Sequence, residues 1–156
     1  MKIRLLVVGK TKEKEIQSGI DEYLKRLTRY TNFQMEVIPD VKASKKMSAG
    51  EVKSLEGKEI IKRLDKDVLI LLDEKGKEFT SVGFSKWIEN QQLNSTKQLT
   101  ILIGGAYGFS EEVYQRASSK IALSKMTFTH QMIRLIFIEQ LYRAFTIIKG
   151  EKYHHV

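Results

Sequence analysis

The side chains best suited to chemistry crowd toward one end of this 156-residue chain. All three histidines, His130, His154 and His155, lie near the C-terminus, interleaved with Arg134, Tyr142, Arg143 and Tyr153. Looped or single-stranded RNA requires such a mixture, because phosphates take the cations and unstacked bases take the rings. A metal centre is the competing use of histidines. No carboxylate or cysteine joins them at ligand spacing, however, and an adjacent His154-His155 pair near a terminus is commonly a solvated tail, so no metal is expected. Arg134 and Arg143 sit in a nearly all-apolar helical stretch, where a guanidinium needs partners. Phosphate or base contacts are expected of both.

Two glycine-bearing loops invite a ligand. Gly9-Lys10-Thr11 resembles the end of a phosphate loop, but the full motif needs glycine at position 4, which is Arg4. Without it the backbone amides cannot curl round a phosphate, and the segment reads as a turn into a basic helix. Gly104-Gly105-Ala106-Tyr107-Gly108 places three glycines in five residues after an apolar run. Such a loop permits close backbone approach. It lacks the G-x-G-x-x-G order and the distal acidic residue of a dinucleotide site. A plain tight turn remains the alternative. Leu72 and the stretch Leu123 to Phe128 close two further apolar runs. Together the three ends offer backbone amides and apolar side chains with little charge, which suits an adenine ring better than a triphosphate. Spacing alone does not separate that role for Met126 and Phe128 from filling the core.

These residues need elements to hold them. Lys2 to Val8 reads as a buried strand ending at Gly9. Ile16, Ile20, Tyr23, Leu24 and Leu27 form one apolar stripe on a helix from about Lys12 to Tyr30. Phe33, Met35 and Val37 alternate with polar residues in a strand ending at Pro39. Asp40 to Met47 reads as a mobile, lysine-rich loop. Ser48-Ala49-Gly50-Glu51 has capping-box form and opens a helix to about Leu64. Val68 to Leu72 is a central strand, followed by a turn at Asp73 to Lys77. Ser81 is placed to cap a helix carrying Phe84, Trp87 and Ile88 inward. Leu99 to Ile103 is another central strand. Ser110-Glu111-Glu112 opens a short helix, and Ile121 to Leu123 forms a last strand.

The closing helix, about Gln131 to Ile148, has an apolar arc of Ile133, Phe137, Ile138, Leu141, Ala144, Phe145 and Ile148, with Met132, Leu135, Ile136 and Tyr142 outside it. A helix apolar on nearly all sides needs a second surface, and a homodimer is expected to supply it. Strands alternating with helices give one α/β domain over residues 1–156 with a mainly parallel sheet flanked by helices. Its ligand belongs beyond the carboxyl ends of the strands.

Composition narrows the function classes. The absence of cysteine excludes disulfides, thiolate catalysis and cysteine zinc sites. The N-terminal apolar run is too short for a signal peptide, and no stretch approaches a membrane span, so a soluble, cytoplasmic protein is expected. The formal net charge is +8. Residues 1–66 hold 16 basic and 10 acidic side chains, residues 67–119 five and seven, and residues 120–156 six and two. Positive charge at both ends suits a polyanion partner, although a lysine-rich surface also serves solubility.

Leu99 to Gly108, Leu123 to Arg134, and Glu139 to Phe145 running on to Tyr153-His154 resemble the RlmH-type SPOUT methyltransferases, as do Met1 to Lys10 and the overall length. The resemblance implies a C-terminal trefoil knot, a homodimer, and S-adenosyl-L-methionine as cofactor. It implies that Leu72, Gly104, Leu123, Ser124, Lys125, Met126, Thr127 and Phe128 hold the cofactor. It implies also that His130, Arg134, Tyr142 and Arg143 are catalytic, with Tyr153, His154, Arg134 and Arg143 contacting RNA. The implied reaction is methylation at N3 of a pseudouridine in the 23S rRNA stem-loop that faces the decoding region, with His130 the candidate base by type. A non-catalytic RNA-binding module is the alternative, and an NTP-dependent switch is argued against by Arg4.

Overall fold

The computed structural model describes residues 1–42 and 44–155; Ala43, in the lysine-rich loop, and Val156 lie outside the described residues. Strands and helices alternate as β1 (Lys2–Val8), α1 (Lys14–Leu27), β2 (Asn32–Ile38), α2 (Ala49–Lys62), β3 (Val68–Glu78), α3 (Ser81–Leu93), β4 (Gln98–Ile103), α4 (Glu111–Arg116) and β5 (Ser119–Ala122), closing with α5 (Met132–Ile148). The five strands form one sheet in the order β2-β1-β4-β3-β5. Every neighbouring pair is parallel.

Strand periodicity sorts the core into two layers. Ile3, Leu5 and Val7 of β1, with Leu99, Ile101 and Ile103 of β4, pack against α1, α3 and α5. Leu6, Val8, Leu69, Leu71 and Leu102 face the other way, against α2 and α4. Central strands are therefore apolar on both faces, as a covered parallel sheet demands. β2 is an edge strand, and its Val37 remains partly in solvent.

Local signals mostly act where their chemistry places them. Ser48 accepts from the Glu51 N–H and Ser110 from the Val113 N–H. The cap of α3 is Thr80, which accepts from Gly83 N–H, not Ser81; the Ser81 hydroxyl instead donates to Gln140 Oε1 on α5. Both are hydroxyl residues, so composition could not choose between them.

A larger correction concerns β3, which continues through the expected turn to Glu78. Leu72 and Lys77 both pair with Ile121, so residues 73–76 loop out and the strand then resumes. Gly76 makes the return possible, because a Cβ there would lie 2.5 Å from the Ile121 backbone. Gly76→Ala is expected to cost about 2 kcal/mol, since overpacking against backbone cannot relax by a rotamer change. Gly50→Ala on α2, where a Cβ would meet only the Ser48 hydroxyl at an ordinary 3.8 Å, is expected to be neutral or stabilising by up to about 1 kcal/mol. Urea denaturation of the pair measures the contrast.

At the amino edge of the sheet lies a buried polar network. Asp67 accepts from Arg4 Nη2 at 2.6 Å, from Gln98 Nε2 at 2.9 Å, and from the Thr100 hydroxyl. Arg4 also donates to Glu36 and to the Arg63 carbonyl. Burial pushes the Asp67 carboxyl up, but the bonds from Thr100 and Gln98 and the Arg4 charge outweigh it, and its pKa is held below the ordinary value. A depressed folded-state pKa contributes stability that is present above the unfolded value and is lost as pH falls through the folded one. Wild-type stability should therefore fall as pH drops below about 4. Asp67→Asn should be less stable at neutral pH and show a flatter acid limb in pH-dependent urea titrations.

The second surface expected for α5 is largely provided within the chain. Leu135 packs where α1 presents Gly19, and Tyr142 packs against Tyr23 and Tyr30. Ile136 lines a groove with Phe79 and Phe84, while Met132 stays exposed. Lateral packing, invisible to a helical wheel, covers Leu135 and Tyr142 and leaves Met132 in solvent. Among the described residues, no helix is long and apolar enough to cross a membrane.

Candidate active site

Because all strands run the same way, their carboxyl ends share one edge, and a cleft opens there with a volume of about 600 Å³. That volume falls within the range of sites that enclose a small molecule. Three segments build it. The loop after β4 contributes Gly104, Gly105, Ala106 and Gly108; β3 contributes Leu72 and the looped-out Asp73, Glu74 and Lys75; the loop after β5 contributes Leu123, Ser124 and Met126 through His130.

The glycine loop has little room for side chains. A Cβ on Gly104 would stand 2.9 Å from the Phe109 ring, and Gly108 holds φ +82°, where a Cβ is strained. Beneath Gly105 lies Glu56 of α2, its carboxylate 3.0 Å from where a Cβ would be. Burial, then the nearby Asp40 charge, raises the Glu56 pKa. The β5 loop is held in turn. Thr127 Oγ1 donates to Glu74 at 2.8 Å, Met126 N–H to the Ser124 hydroxyl at 2.9 Å, and Tyr114 to Asp73 at 2.7 Å. Burial, then the bond to Asp73, pushes Tyr114 up to about 12.

Of the expected cofactor residues, Leu72, Gly104, Leu123, Ser124, Met126, Thr127 and Phe128 line the cleft. Lys125 points away, 88% exposed, with its ammonium 3.9 Å from Glu78. Asp73, Glu74, Phe109 and Tyr114 also line it and were missed, because the return of β3 and the fold-back of α4 bring them in. Nothing in the spacing of Glu56 marks it either.

The expected catalytic residues separate into two groups. His130 is exposed at the cleft. Arg134, one turn on, is fully enclosed. Its guanidinium donates to the carbonyls of Val8 at 2.7 Å, Gly9 at 2.8 Å and His130 at 3.0 Å, and to Thr11 Oγ1 at 3.1 Å. The phosphate or base contact expected of Arg134 is therefore closed to it in this conformation. The partners its charge demanded are backbone carbonyls at the end of β1.

Tyr142, Arg143, Tyr153 and His154 gather at the other end of α5. Arg143 Nη2 donates to Glu139 at 2.5 Å, Nη1 lies 3.3 Å from His154 Nδ1, and the guanidinium sits over the Tyr153 ring at 4.7 Å. Tyr153 donates to Glu139 and pairs with the Tyr23 hydroxyl. Burial, then these bonds, raises its pKa. At 1.5 Å per residue, the 13 positions from His130 to Arg143 amount to about 20 Å, which puts the two side chains at separate places along the helix direction.

A parallel α/β sheet with a glycine-lined cleft at its carboxyl edge is the class of architecture that binds a small ligand beyond its strand ends, and here a cationic-aromatic cluster lies further along the last helix. Residues 1–154 match the sequence model of a family described as Predicted SPOUT methyltransferase, and the chain belongs to that family. It is similar to two proteins called Ribosomal RNA large subunit methyltransferase H. Identity is 56% to that of Parabacteroides distasonis and 51% to that of Flavobacterium johnsoniae, over 156 residues and 99% of each chain. Among solved structures it resembles the tRNA (m1G37) methyltransferase from Aquifex aeolicus, with TM-score 0.58 and 14% identity over 100% of this chain and 76% of that one. That likeness concerns the fold alone.

Proposed function

We propose that the chain is an S-adenosyl-L-methionine-dependent methyltransferase of 23S ribosomal RNA that modifies N3 of a pseudouridine in the stem-loop facing the decoding region. We place it in the cytoplasm, as a homodimer with its C-terminal segment threaded as a trefoil knot. The single observation that carries the reading is the cleft itself, where a glycine loop, tight against Phe109 at Gly104 and against Glu56 at Gly105, faces the loop ending at His130. Family membership and the names of the similar proteins support the class of reaction.

The residues fit the cofactor. Leu72, Ile103 and Leu123 offer apolar walls for an adenine, the backbone of 104–108 and 123–128 offers donors and acceptors, and Asp73 and Glu74 give the rim negative charge that suits a cationic ligand. When bound, the cofactor supplies a methyl group already activated on a sulfonium. The protein's work is to position the base in line and remove its N3 proton. His130 stands at the cleft with an imidazole exposed toward it, and it is our assignment for the proton acceptor. Tyr114 and Tyr153 stay protonated. Arg134 acts as a positioning residue, holding the His130 carbonyl against the end of β1.

The distance along α5 supports the homodimer. Arg143, Tyr142, Tyr153 and His154 complete a site at His130 if a second copy packs with its α5 antiparallel, and we assign base and phosphate contacts to them there. Calorimetry should show one S-adenosyl-L-methionine bound per subunit, and mass mapping should find the 23S pseudouridine unmethylated in cells lacking the protein. A chain that takes up no cofactor would be an RNA-binding module instead.

A further inference from the structure

β1 and β2 end side by side at the cleft edge, where Gly9 N–H donates to the Ile38 carbonyl at 2.7 Å. The chain after Val8 and the chain after Ile38 both leave the sheet at that edge, with Asp40 lying against Gly9. The first is fastened to the start of α5. Gln131, 8% exposed, accepts from Lys12 N–H at 2.8 Å and donates to the Lys10 carbonyl at 3.2 Å. Arg134 takes the Val8 and Gly9 carbonyls and the Thr11 hydroxyl. These anchors use the backbone of Lys10 and Lys12 and leave both ammonium groups in solvent. Lys14 opens α1 beside them, and Lys42, Lys45 and Lys46 are exposed on the second loop. Among the described residues, none of the six lysines forms an ion pair. The acids of the two segments are Glu13, Glu15 and Asp40, and Asp40 lies against Gly9. Positive charge therefore prevails on these segments, whereas the looped-out part of β3 brings Asp73, Glu74 and Lys75 to the cleft.

We infer that the two-loop lysine rim, with Lys10 and Lys12 at its centre, grips the phosphate backbone of the RNA beside the cleft; this rests on the RNA-methyltransferase reading above. Lysine is suited to that task, being a flexible point charge that neutralises phosphate without reading sequence. The Gln131 anchor converts grip into register. Its Nε2 lies 3.4 Å from His130 Nε2, so a strand held by Lys10 and Lys12 is fixed relative to His130.

The test is co-sedimentation of the intact protein with ribosomes from cells lacking it, across a series of KCl concentrations. Lys10→Gln/Lys12→Gln should weaken binding roughly tenfold at 0.1 M salt and reduce the slope of log K against log salt by about one unit per lysine. Lys45→Gln/Lys46→Gln should act in the same direction. Lys66→Gln/Lys97→Gln, exposed residues preceding β3 and β4 at the opposite edge, should leave both quantities unchanged. Affinity and slope equal to wild type in the rim variants would overturn the inference, as would an equal loss in the Lys66/Lys97 control. Thermal unfolding checks that the rim variants are folded, and calorimetry with S-adenosyl-L-methionine separates the two failures. A chain that binds ribosomes through the rim but takes no cofactor sinks the enzyme reading. A chain that binds cofactor but ignores the rim substitutions sinks this inference alone.

Discussion

Co-expressing a His130→Ala chain with an Arg143→Ala chain is expected to restore about a quarter of wild-type methyl transfer, although each variant alone should fall by about 100-fold or more. His130 lies just before α5 and Arg143 in its second half, and Arg143 is already held by Glu139, Tyr153 and His154. If the site combines His130 of one subunit with Arg143 of the other, a mixed dimer has one site with both residues intact and one with neither. Random association makes half the dimers mixed, hence the quarter. If one chain builds the whole site, every site carries a defect and the mixture stays inactive. Cofactor affinity of Arg143→Ala should match wild type, because Arg143 does not line the cleft.

Replacing Arg134 by leucine is expected to lower folding stability by about 3 kcal/mol or more, a drop of roughly 6–12 °C in the unfolding midpoint. The substitution leaves the carbonyls of Val8, Gly9 and His130 and the Thr11 hydroxyl without the donor they now share. Desolvation of the buried cation, which lowers its pKa, works the other way and holds the estimate at the lower end. Arg134→Lys should recover only part of the loss, since one ammonium cannot span acceptors that a planar fork reaches together. Urea denaturation gives the stability. A kcat that falls while cofactor affinity holds would show that the anchor also positions His130. An Arg134→Leu protein as stable as wild type would remove the anchoring role.

The sequence carried enough local information to specify the layers. The apolar runs in Lys2–Val8 and Leu99–Ile103, the stripe from Ile16 to Leu27 and the hydroxyl caps at Ser48 and Ser110 each depend on neighbours within a few residues, and the structure follows them closely. It also marked the glycine loop and the Leu123–Phe128 stretch as cleft material, because glycine content and strand ends are local properties. The fate of a side chain with long-range partners was not local. Arg134 looked like an RNA contact because a guanidinium on an apolar helix needs acceptors. Only the packing of α5 over the end of β1, 125 residues away from Gly9 in the chain, decided that those acceptors are backbone carbonyls. The return of β3 past Gly76 and the arrival of Asp73 and Tyr114 at the cleft were decided in the same way. Each depends on which distant backbone lies alongside, and side-chain type and spacing encode the need for a partner without encoding which partner arrives.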